Sequence, residues 1–158
     1  MKGTLAKPFL GFSVFVESRV GRKGVPAAKS FETWVRTALR GHRGRRQVNI
    51  QLFGEREARA LNRRFRAKDY ATNVLSFPCE PLPNEKTGLL GDIVICPAVV
   101  AREAVEQDKP PRHHYAHLTI HGVLHLLGYD HQSEADAERM EGVERRLLAS
   151  LGIPDPYA

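Results

Sequence analysis

The sequence predicts a single domain, spanning residues 1–158, that combines strands and helices around one core. A chain of 158 residues with 42% apolar content can bury well over half of the surface that its unfolded form exposes. Four short segments rich in β-branched and aromatic residues are interspersed with segments of helical periodicity. No repeat or low-complexity tract divides the chain. We therefore expect about four strands and five or so helices.

The first half predicts two strands and two helices. Residues 9–18 and 46–53 carry β-branched and aromatic side chains in partial alternation, which favours strands. Between them, Ser30 can cap a helix that runs to about residue 40, where Gly41 ends it. The apolar residues of that helix recur at helical spacing: Phe31, Trp34, Val35 and Leu39. A second helix fits residues 55–65, with most of its arginines facing outward.

The second half predicts two more strands and three helices. Residues 72–78 and 91–97 favour short strands, each stopped by a proline that cannot donate to a β-ladder. The helices are expected over residues 98–107, 110–127 and 133–150. The middle one starts with two prolines, which suit a first helical turn. In the last, Ser133 and Asp136 have the spacing of a capping box, although Asp is not the preferred Glu or Gln.

Neither the apolar segments nor the cysteines indicate a membrane or secreted protein. No apolar run approaches the ~20 residues that a membrane helix needs. Residues 9–16 are as long as a signal-peptide core, but charged residues follow them without a cleavage motif. Cys79 and Cys96 lack a CxxC spacing and are expected to be small buried side chains. The sequence predicts a cytoplasmic protein.

The net charge is divided unequally along the chain. Residues 1–80 hold 17 Lys and Arg against 6 Asp and Glu, whereas residues 81–158 hold 7 against 12. A basic face of this strength suits a phosphate backbone, because neutralised phosphates release condensed counterions. An ordinary solvated basic surface explains the composition equally well, so charge alone leaves both interpretations open.

Residues 121–131, HGVLHLLGYDH, predict a metal site. Four residues of α-helix advance about 400°, so His121 and His125 lie on one face and can share an ion. Six further residues would turn His131 off that face, so the helix has to end before it. Gly128 suits that end, because glycine adopts the left-handed conformation of a helix C′ position. Three imidazoles with a fourth position open are typical of catalytic Zn²⁺, with nickel, cobalt and copper as alternatives.

Other residues near this segment have less specific patterns. His117 stands one turn before His121, but three ligands in a helical row span about 12 Å and cannot surround one ion. We therefore expect His117 to be a buried polar group behind the ligands. Asp130 either orients a ligand or a water molecule or serves only in the turn. His113 and His114 are expected to face solvent.

Gly122 distinguishes this histidine pattern from that of the metzincin proteases. Their first histidine is followed by the glutamate that acts as general base, and here that position has no carboxylate. A zinc metalloprotease would need its base elsewhere and remains only an alternative. A non-catalytic RNA-binding assembly factor with a structural zinc is another.

Four motifs occur in this order along the chain: LNRRFRAKDYATNVLSFP, LLGDIVICP, HGVLHLLGYDH and GIPDPY. In them the chain resembles the YbeY family of bacterial endoribonucleases, well from about residue 46 onward and loosely over the first 40. The resemblance implies an α+β fold with a small, mostly parallel mixed sheet and one zinc ion held by His121, His125 and His131. It also implies single-strand-specific cleavage in 16S rRNA 3′-end maturation and a part in 70S ribosome quality control. The implied partners are ribosomal RNA and the small ribosomal subunit with its proteins.

The expected mechanism uses the metal and the basic half together. The ion could polarise a phosphoryl oxygen or lower the pKa of bound water to ~7. Arg66, which matches the arginine considered important in that family, would bind the scissile phosphate. Arg59, Arg63 and Lys68 are candidate contacts to the RNA backbone, with solvated surface charges as the alternative. Asp92 is the first carboxylate to test for orienting water, with a structural turn aspartate as the alternative.

Overall fold

The computed structural model describes residues 12–80 and 88–158. Its elements, in chain order, are β1 (Ser13–Ser18), α1 (Ala28–Ala38), β2 (Gln47–Leu52), α2 (Glu55–Arg66), β3 (Val74–Pro78), β4 (Leu89–Ile95), α3 (Pro97–Glu106), α4 (Pro111–Leu126) and α5 (Glu134–Ser150). The predicted strands and helices are therefore all present, with small shifts at their ends. The start of the first expected strand, residues 9–11, lies outside the described residues. Within those ranges, no helix is both long enough and apolar enough to span a membrane.

The four strands form one mixed sheet in the order β1-β2-β4-β3. β1 pairs with β2, and β2 with β4, in parallel, whereas β3 and β4 are antiparallel. Among the strands of residues 12–80 and 88–158, β1 and β3 are thus the two edge strands. The sheet is mostly parallel, so the α+β fold with a small mixed sheet is confirmed.

The main core covers one face of the sheet. Alternate residues of β2, namely Val48, Ile50 and Leu52, are fully buried, because side chains two apart on a strand share a face. They belong to one cluster with apolar residues of α1, α4 and α5, among them Phe31 and Leu124. This cluster fixes α4, the helix that carries the histidines, against the sheet.

The register of β3 against β4 decides which residues face α4. Ser76 pairs with Ile93 and Phe77 pairs with Asp92, and residues paired across an antiparallel ladder share a face. The Ser76 hydroxyl donates to the Gly122 carbonyl of α4 at 3.2 Å, so the Ser76–Ile93 pair faces this helix. Phe77 and Asp92 therefore face the opposite side of the sheet.

Two glycines allow α4 to lie close to β3 and β4. A Cβ atom added to Gly91 would lie 2.6 Å from Leu126 Cδ2, and one added to Gly122 would lie 3.0 Å from Ile93 Cδ1 and 3.2 Å from Ser76 Oγ. Contacts this short would force α4 away from the sheet. Glycine at position 122 therefore has a packing role, since this position faces the sheet.

The two expected serine caps have different outcomes. Ser133 Oγ accepts a hydrogen bond from the Asp136 N–H at 3.0 Å and caps α5. The prediction that Ser30 caps α1 is wrong, because the N-cap is Ala27, three residues earlier, and the helix begins at Ala28. The two residues ahead of Ser30, alanine and lysine, are good helix formers and extend the helix. Ser30 Oγ instead accepts a hydrogen bond from Arg112 at 2.8 Å.

Candidate metal centre

The C-terminal end of α4 reverses the chain at Gly128. This glycine has φ +102°, and its N–H bonds to the His125 carbonyl at 3.0 Å. The next N–H, that of Tyr129, bonds to the Leu124 carbonyl at 3.0 Å. These two bonds form a Schellman motif, which needs a left-handed residue at the position of Gly128. The reversal brings His131 back towards the helix it follows.

The structure brings His121, His125 and His131 together. The Nε2 atoms of His121 and His125 lie 3.1 Å apart. The ring centroid of His131 lies 5.4 Å from that of His121 and 4.9 Å from that of His125. One ring nitrogen from each residue lies within 4.8 Å of the other two, so the group could hold a metal ion. His131 is exposed and the other two are half-buried, so the site opens to solvent on the His131 side.

Glu144 of α5 lies directly behind His121, and the sequence analysis missed it. This residue is fully buried. Its Oε2 accepts a hydrogen bond from His121 Nδ1 at 2.7 Å, and its Oε1 accepts from His117 Nε2 at 2.8 Å and from the Tyr157 hydroxyl. With the proton of His121 on Nδ1, its Nε2 keeps a lone pair towards His125. A carboxylate behind a histidine in this way fixes the tautomer that can ligate a metal.

The sequence contains a signal for Glu144. Met140, Glu144 and Leu148 follow one another at four-residue spacing in α5, and all three are buried. A carboxylate in an apolar stripe is almost never fully buried unless it is paired. Its partners are two histidines of α4 and the hydroxyl of Tyr157.

Burial and hydrogen bonding set the charges at the centre. Burial opposes ionisation of Glu144, but hydrogen bonds from His117 and His121 outweigh it and lower the pKa of Glu144 to about 2. Burial, together with the charges of His121 and His131, lowers the pKa of His125 to about 4. Near neutral pH, Glu144 is thus ionised and His125 neutral, and neutral imidazole is the form that binds metals.

His117 lies on the far side of Glu144 from His121. The ring of Tyr157 packs edge-on against it, with centroids 5.4 Å apart, and the Tyr157 N–H bonds to Asp155 at 2.8 Å. The C-terminal residues thus cover this side of the centre. A groove of about 720 Å³ starts at His121 and runs along α4 between these residues and the connection from α3.

Two residues close to the histidines have local structural roles. Asp130 Oδ1 accepts from the Gln132 N–H at 3.3 Å, so this carboxylate shapes the turn that contains His131. The expectation that His114 faces solvent is wrong, because it is only 4% exposed and its Nε2 bonds to Glu103 at 2.8 Å. The start of α4 packs against α3, which the local sequence could not indicate.

Arg66 lies at the end of α2, which packs on the face of the sheet opposite α4. It is the last residue of that helix and is exposed. Its charge is a minor cause of the lowered pKa of His125, so the two residues interact electrostatically although they are far apart in sequence. Ala67 follows in the left-handed conformation, with φ 57°, and its N–H bonds to the Arg63 carbonyl at 3.1 Å. This cap fixes the position from which Arg66 projects.

The remaining candidate residues differ in their access to the centre. Arg59 is exposed but donates to both carboxylate oxygens of Asp69, at 2.8 and 3.0 Å. Arg63 and Lys68 are exposed near Arg66 in the chain. Asp92 faces the side of the sheet away from α4, so the structure does not bring it to the histidines.

Comparison with known proteins decides the family. A family model described as Endoribonuclease YbeY matches residues 18–152. The chain belongs to the YbeY endoribonuclease family. Relatives named Endoribonuclease YbeY include one from Stenotrophomonas maltophilia strain K279a, 54% identical over 92% of each chain. Another, from Xanthomonas oryzae pv. oryzae strain MAFF 311018, is 51% identical over 98% of each.

The resemblance that the four motifs indicated is thereby confirmed. Membership of the YbeY family extends further towards the N-terminus than those motifs do, since the match begins at residue 18. The chain is also similar to a Thermotoga maritima protein whose solution structure is known. That similarity has a TM-score of 0.56 and 26% identity, and it covers 87% of this chain and 91% of the other.

Proposed function

We propose that this protein is a zinc-dependent endoribonuclease that cleaves single-stranded RNA. The observation that supports this most is the meeting of three histidine nitrogens in a group that could hold a metal ion, with the charge of Arg66 acting on one of these histidines. A metal-binding group and a cation that act together suit a phosphodiester, because the charge of the phosphate grows in the transition state and both groups stabilise it. The nearly full-length relatives are named endoribonucleases, which agrees with this choice.

The proposed role is in the cytoplasm, on ribosomal RNA. The substrate would be the precursor of 16S rRNA, cut during maturation of its 3′ end. The protein would also take part in 70S ribosome quality control. The small ribosomal subunit and its proteins are the proposed partners, and they would supply much of the specificity for the cleavage position.

The donor set fits zinc. Three imidazole nitrogens on a site open to solvent are typical of catalytic zinc with one exchangeable position. Glu144 holds His121 in the tautomer that directs Nε2 towards His125, which is how supporting carboxylates usually act on zinc ligands. Zinc bound by His121, His125 and His131 would supply Lewis-acid stabilisation of the phosphate and a more acidic water.

The cations at the end of α2 would bind the RNA backbone. Arg66 would donate two parallel hydrogen bonds to the scissile phosphate and stabilise the charge that builds there. Arg63 and Lys68 would contact neighbouring phosphates. Arg59 would first have to leave Asp69, so we expect its contribution to be smaller.

Cleavage of an rRNA fragment by purified variants tests this proposal. We expect Arg66→Glu to lower kcat/KM at least ~100-fold, the effect of removing one group that stabilises the transition state. His121→Ala should remove bound zinc, measured by elemental analysis, and cleavage with it. Arg56→Glu makes the same charge change near the start of α2, and His113→Ala removes another histidine of α4. Both controls should cut the fragment as wild type does.

The outcome that contradicts the proposal is equally specific. If Arg66→Glu and His121→Ala cut as well as wild type, the activity belongs to a contaminant and the site assignment fails. For an active enzyme, mapping the product ends distinguishes the two possible nucleophiles, the 2′-OH of the RNA and water. A fragment with a 2′-deoxy nucleotide at the cut site is resistant if the 2′-OH attacks, and it is cleaved if water attacks.

A further inference from the structure

Two exposed aromatic residues and four cations occur within residues 63–70, at the end of α2 and in the loop that follows it. Phe65 is 53% exposed and Tyr70 is 54% exposed. Together with the neighbouring cations they form what we call the α2-end surface, made of Arg63, Arg64, Phe65, Arg66, Lys68 and Tyr70. Exposed aromatic rings that occur singly are common on protein surfaces, whereas rings combined with a run of cations are typical of surfaces that bind single-stranded nucleic acid. Cations around them favour a ligand that is both aromatic and negatively charged.

Hydrogen bonds connect the loop that carries Tyr70 to α2. The Lys68 N–H bonds to the Asn62 carbonyl at 3.3 Å, and the buried Asn62 side chain donates to the Tyr70 carbonyl at 2.8 Å. Arg59 of α2 also donates two hydrogen bonds to Asp69 of this loop. A ring on a fixed loop loses less conformational entropy on binding than a ring on a mobile one.

Phe65 is also held in place, while much of its surface stays accessible. Its ring meets the ring of Phe77 edge-on, with centroids 5.2 Å apart and planes at 72°. The guanidinium of Arg64 lies 5.2 Å from the centroid of Phe65. An arginine paired with a ring in this way also offers a flat, cationic surface on which a nucleobase can stack.

The α2-end surface connects to the metal centre across the edge strand β3. Phe77, which contacts Phe65, follows Ser76, and the Ser76 hydroxyl bonds to the Gly122 carbonyl at 3.2 Å. Gly122 adjoins His121. Phe65 is therefore connected to the metal centre through direct contacts, and a nucleic-acid strand with one phosphate at that centre could extend towards this ring.

We propose that Phe65 and Tyr70 form a base-stacking subsite for single-stranded RNA, an inference that rests on the proposed function of the metal centre. Bases of a single strand have free faces, whereas those of a duplex already stack on one another. The rings would contact bases while the arginines and Lys68 contact phosphates. Each stacked base is expected to raise affinity by roughly 5- to 150-fold.

The test compares oligomers with and without bases. The probes are a labelled ten-nucleotide oligoadenylate, an abasic ribose-phosphate oligomer of the same length and a blunt-ended RNA duplex, with gels showing that each stays intact. Phe65→Leu and Tyr70→Leu should each weaken oligoadenylate binding by at least roughly 5-fold and leave binding of the abasic oligomer and of the duplex unchanged. Phe15→Leu is the matched control, since Phe15 is 57% exposed on the other edge strand. It should bind all three probes as wild type does.

A second measurement reports contact directly. Trp34, the only tryptophan of the chain, is 3% exposed, so Tyr70→Trp adds an accessible fluorophore. Oligoadenylate should quench its emission, and the abasic oligomer should not. Equal quenching by both oligomers, or equal weakening of both by the leucine variants, would overturn the subsite.

The two proposals can fail separately. If wild type cuts rRNA and the leucine variants bind oligoadenylate like wild type, the stacking subsite is wrong and the nuclease proposal stands. If wild type cuts no RNA but binds oligoadenylate through Phe65 and Tyr70, the subsite stands and the nuclease proposal is wrong. A wild type that binds oligoadenylate no better than the abasic oligomer contradicts the subsite.

Discussion

Replacing Glu144 with glutamine should weaken zinc binding although the side chain keeps its shape. The change turns one carboxylate oxygen, an acceptor, into an NH₂ group, a donor. Oε1 accepts from two groups, His117 and Tyr157, and Oε2 accepts from His121 alone. The amide oxygen can keep both donors, His117 and Tyr157, if it takes the place of Oε1. This orientation leaves only one unfavourable donor-to-donor contact. The NH₂ group then faces His121 Nδ1.

The magnitude follows from the tautomer that this contact requires. His121 can accept from the NH₂ group only if its proton moves from Nδ1 to Nε2, the nitrogen 3.1 Å from His125 Nε2. In that tautomer Nε2 carries the proton and has no lone pair with which to bind the ion. Loss of a partner behind a histidine ligand lowers metal affinity ~10- to 100-fold. If the mismatch persists in the buried site it costs about 1–3 kcal/mol, which lowers Tm by roughly 2–12 °C in a domain of this size.

Competition for zinc against a chromogenic chelator measures the affinity, and thermal melts of the metal-free protein measure the stability. Glu141→Gln is the matched control, because Glu141 lies one turn earlier on α5 and its carboxylate is partly exposed, 3.6 Å from Arg145. It should bind zinc as wild type does. Equal zinc affinity of Glu144→Gln and Glu141→Gln would refute the role of Glu144 in setting the tautomer of His121.

Other substitutions test packing, backbone strain and charge. Gly122→Ala should lower the free energy of unfolding by about 1–3 kcal/mol, measured by urea denaturation, because its Cβ would lie 3.0 Å from a β4 side chain. Gly142→Ala in α5 meets nothing within 4 Å and should instead raise it by about 1 kcal/mol. Ala67→Gly should raise the free energy of unfolding by up to about 1 kcal/mol, since glycine adopts the left-handed conformation without a Cβ penalty. A lower free energy of unfolding would contradict strain at this cap. Burial lowers the pKa of His114 more than its bond to Glu103 raises it. The folded state therefore favours the neutral ring, and stability falls as pH drops below the unfolded value near 6.5. His114→Gln should reduce the difference in Tm between pH 7 and pH 5, and an unchanged difference would exclude His114 as its source.

The elements and the histidine positions could be predicted because they depend on nearby residues. The i, i+4 spacing of His121 and His125 puts both on one helical face whatever the helix packs against. The reversal at Gly128 needs only a left-handed residue and hydrogen bonds within one turn. Ser133 caps α5 through a residue three positions later. The cap predicted at Ser30 failed because good helix formers before it allowed an earlier start.

Only the tertiary structure decided which residues support or surround the histidines. Glu144 lies on a different helix, and its role depends on how α5 packs against α4. The face of Asp92 depends on the register of β3 against β4, which turned its side chain away from the centre. The electrostatic effect of Arg66 on His125 depends on α2 ending beside an edge strand. Local sequence patterns report spacing along one element, whereas these relations come from packing between elements that are distant in the chain.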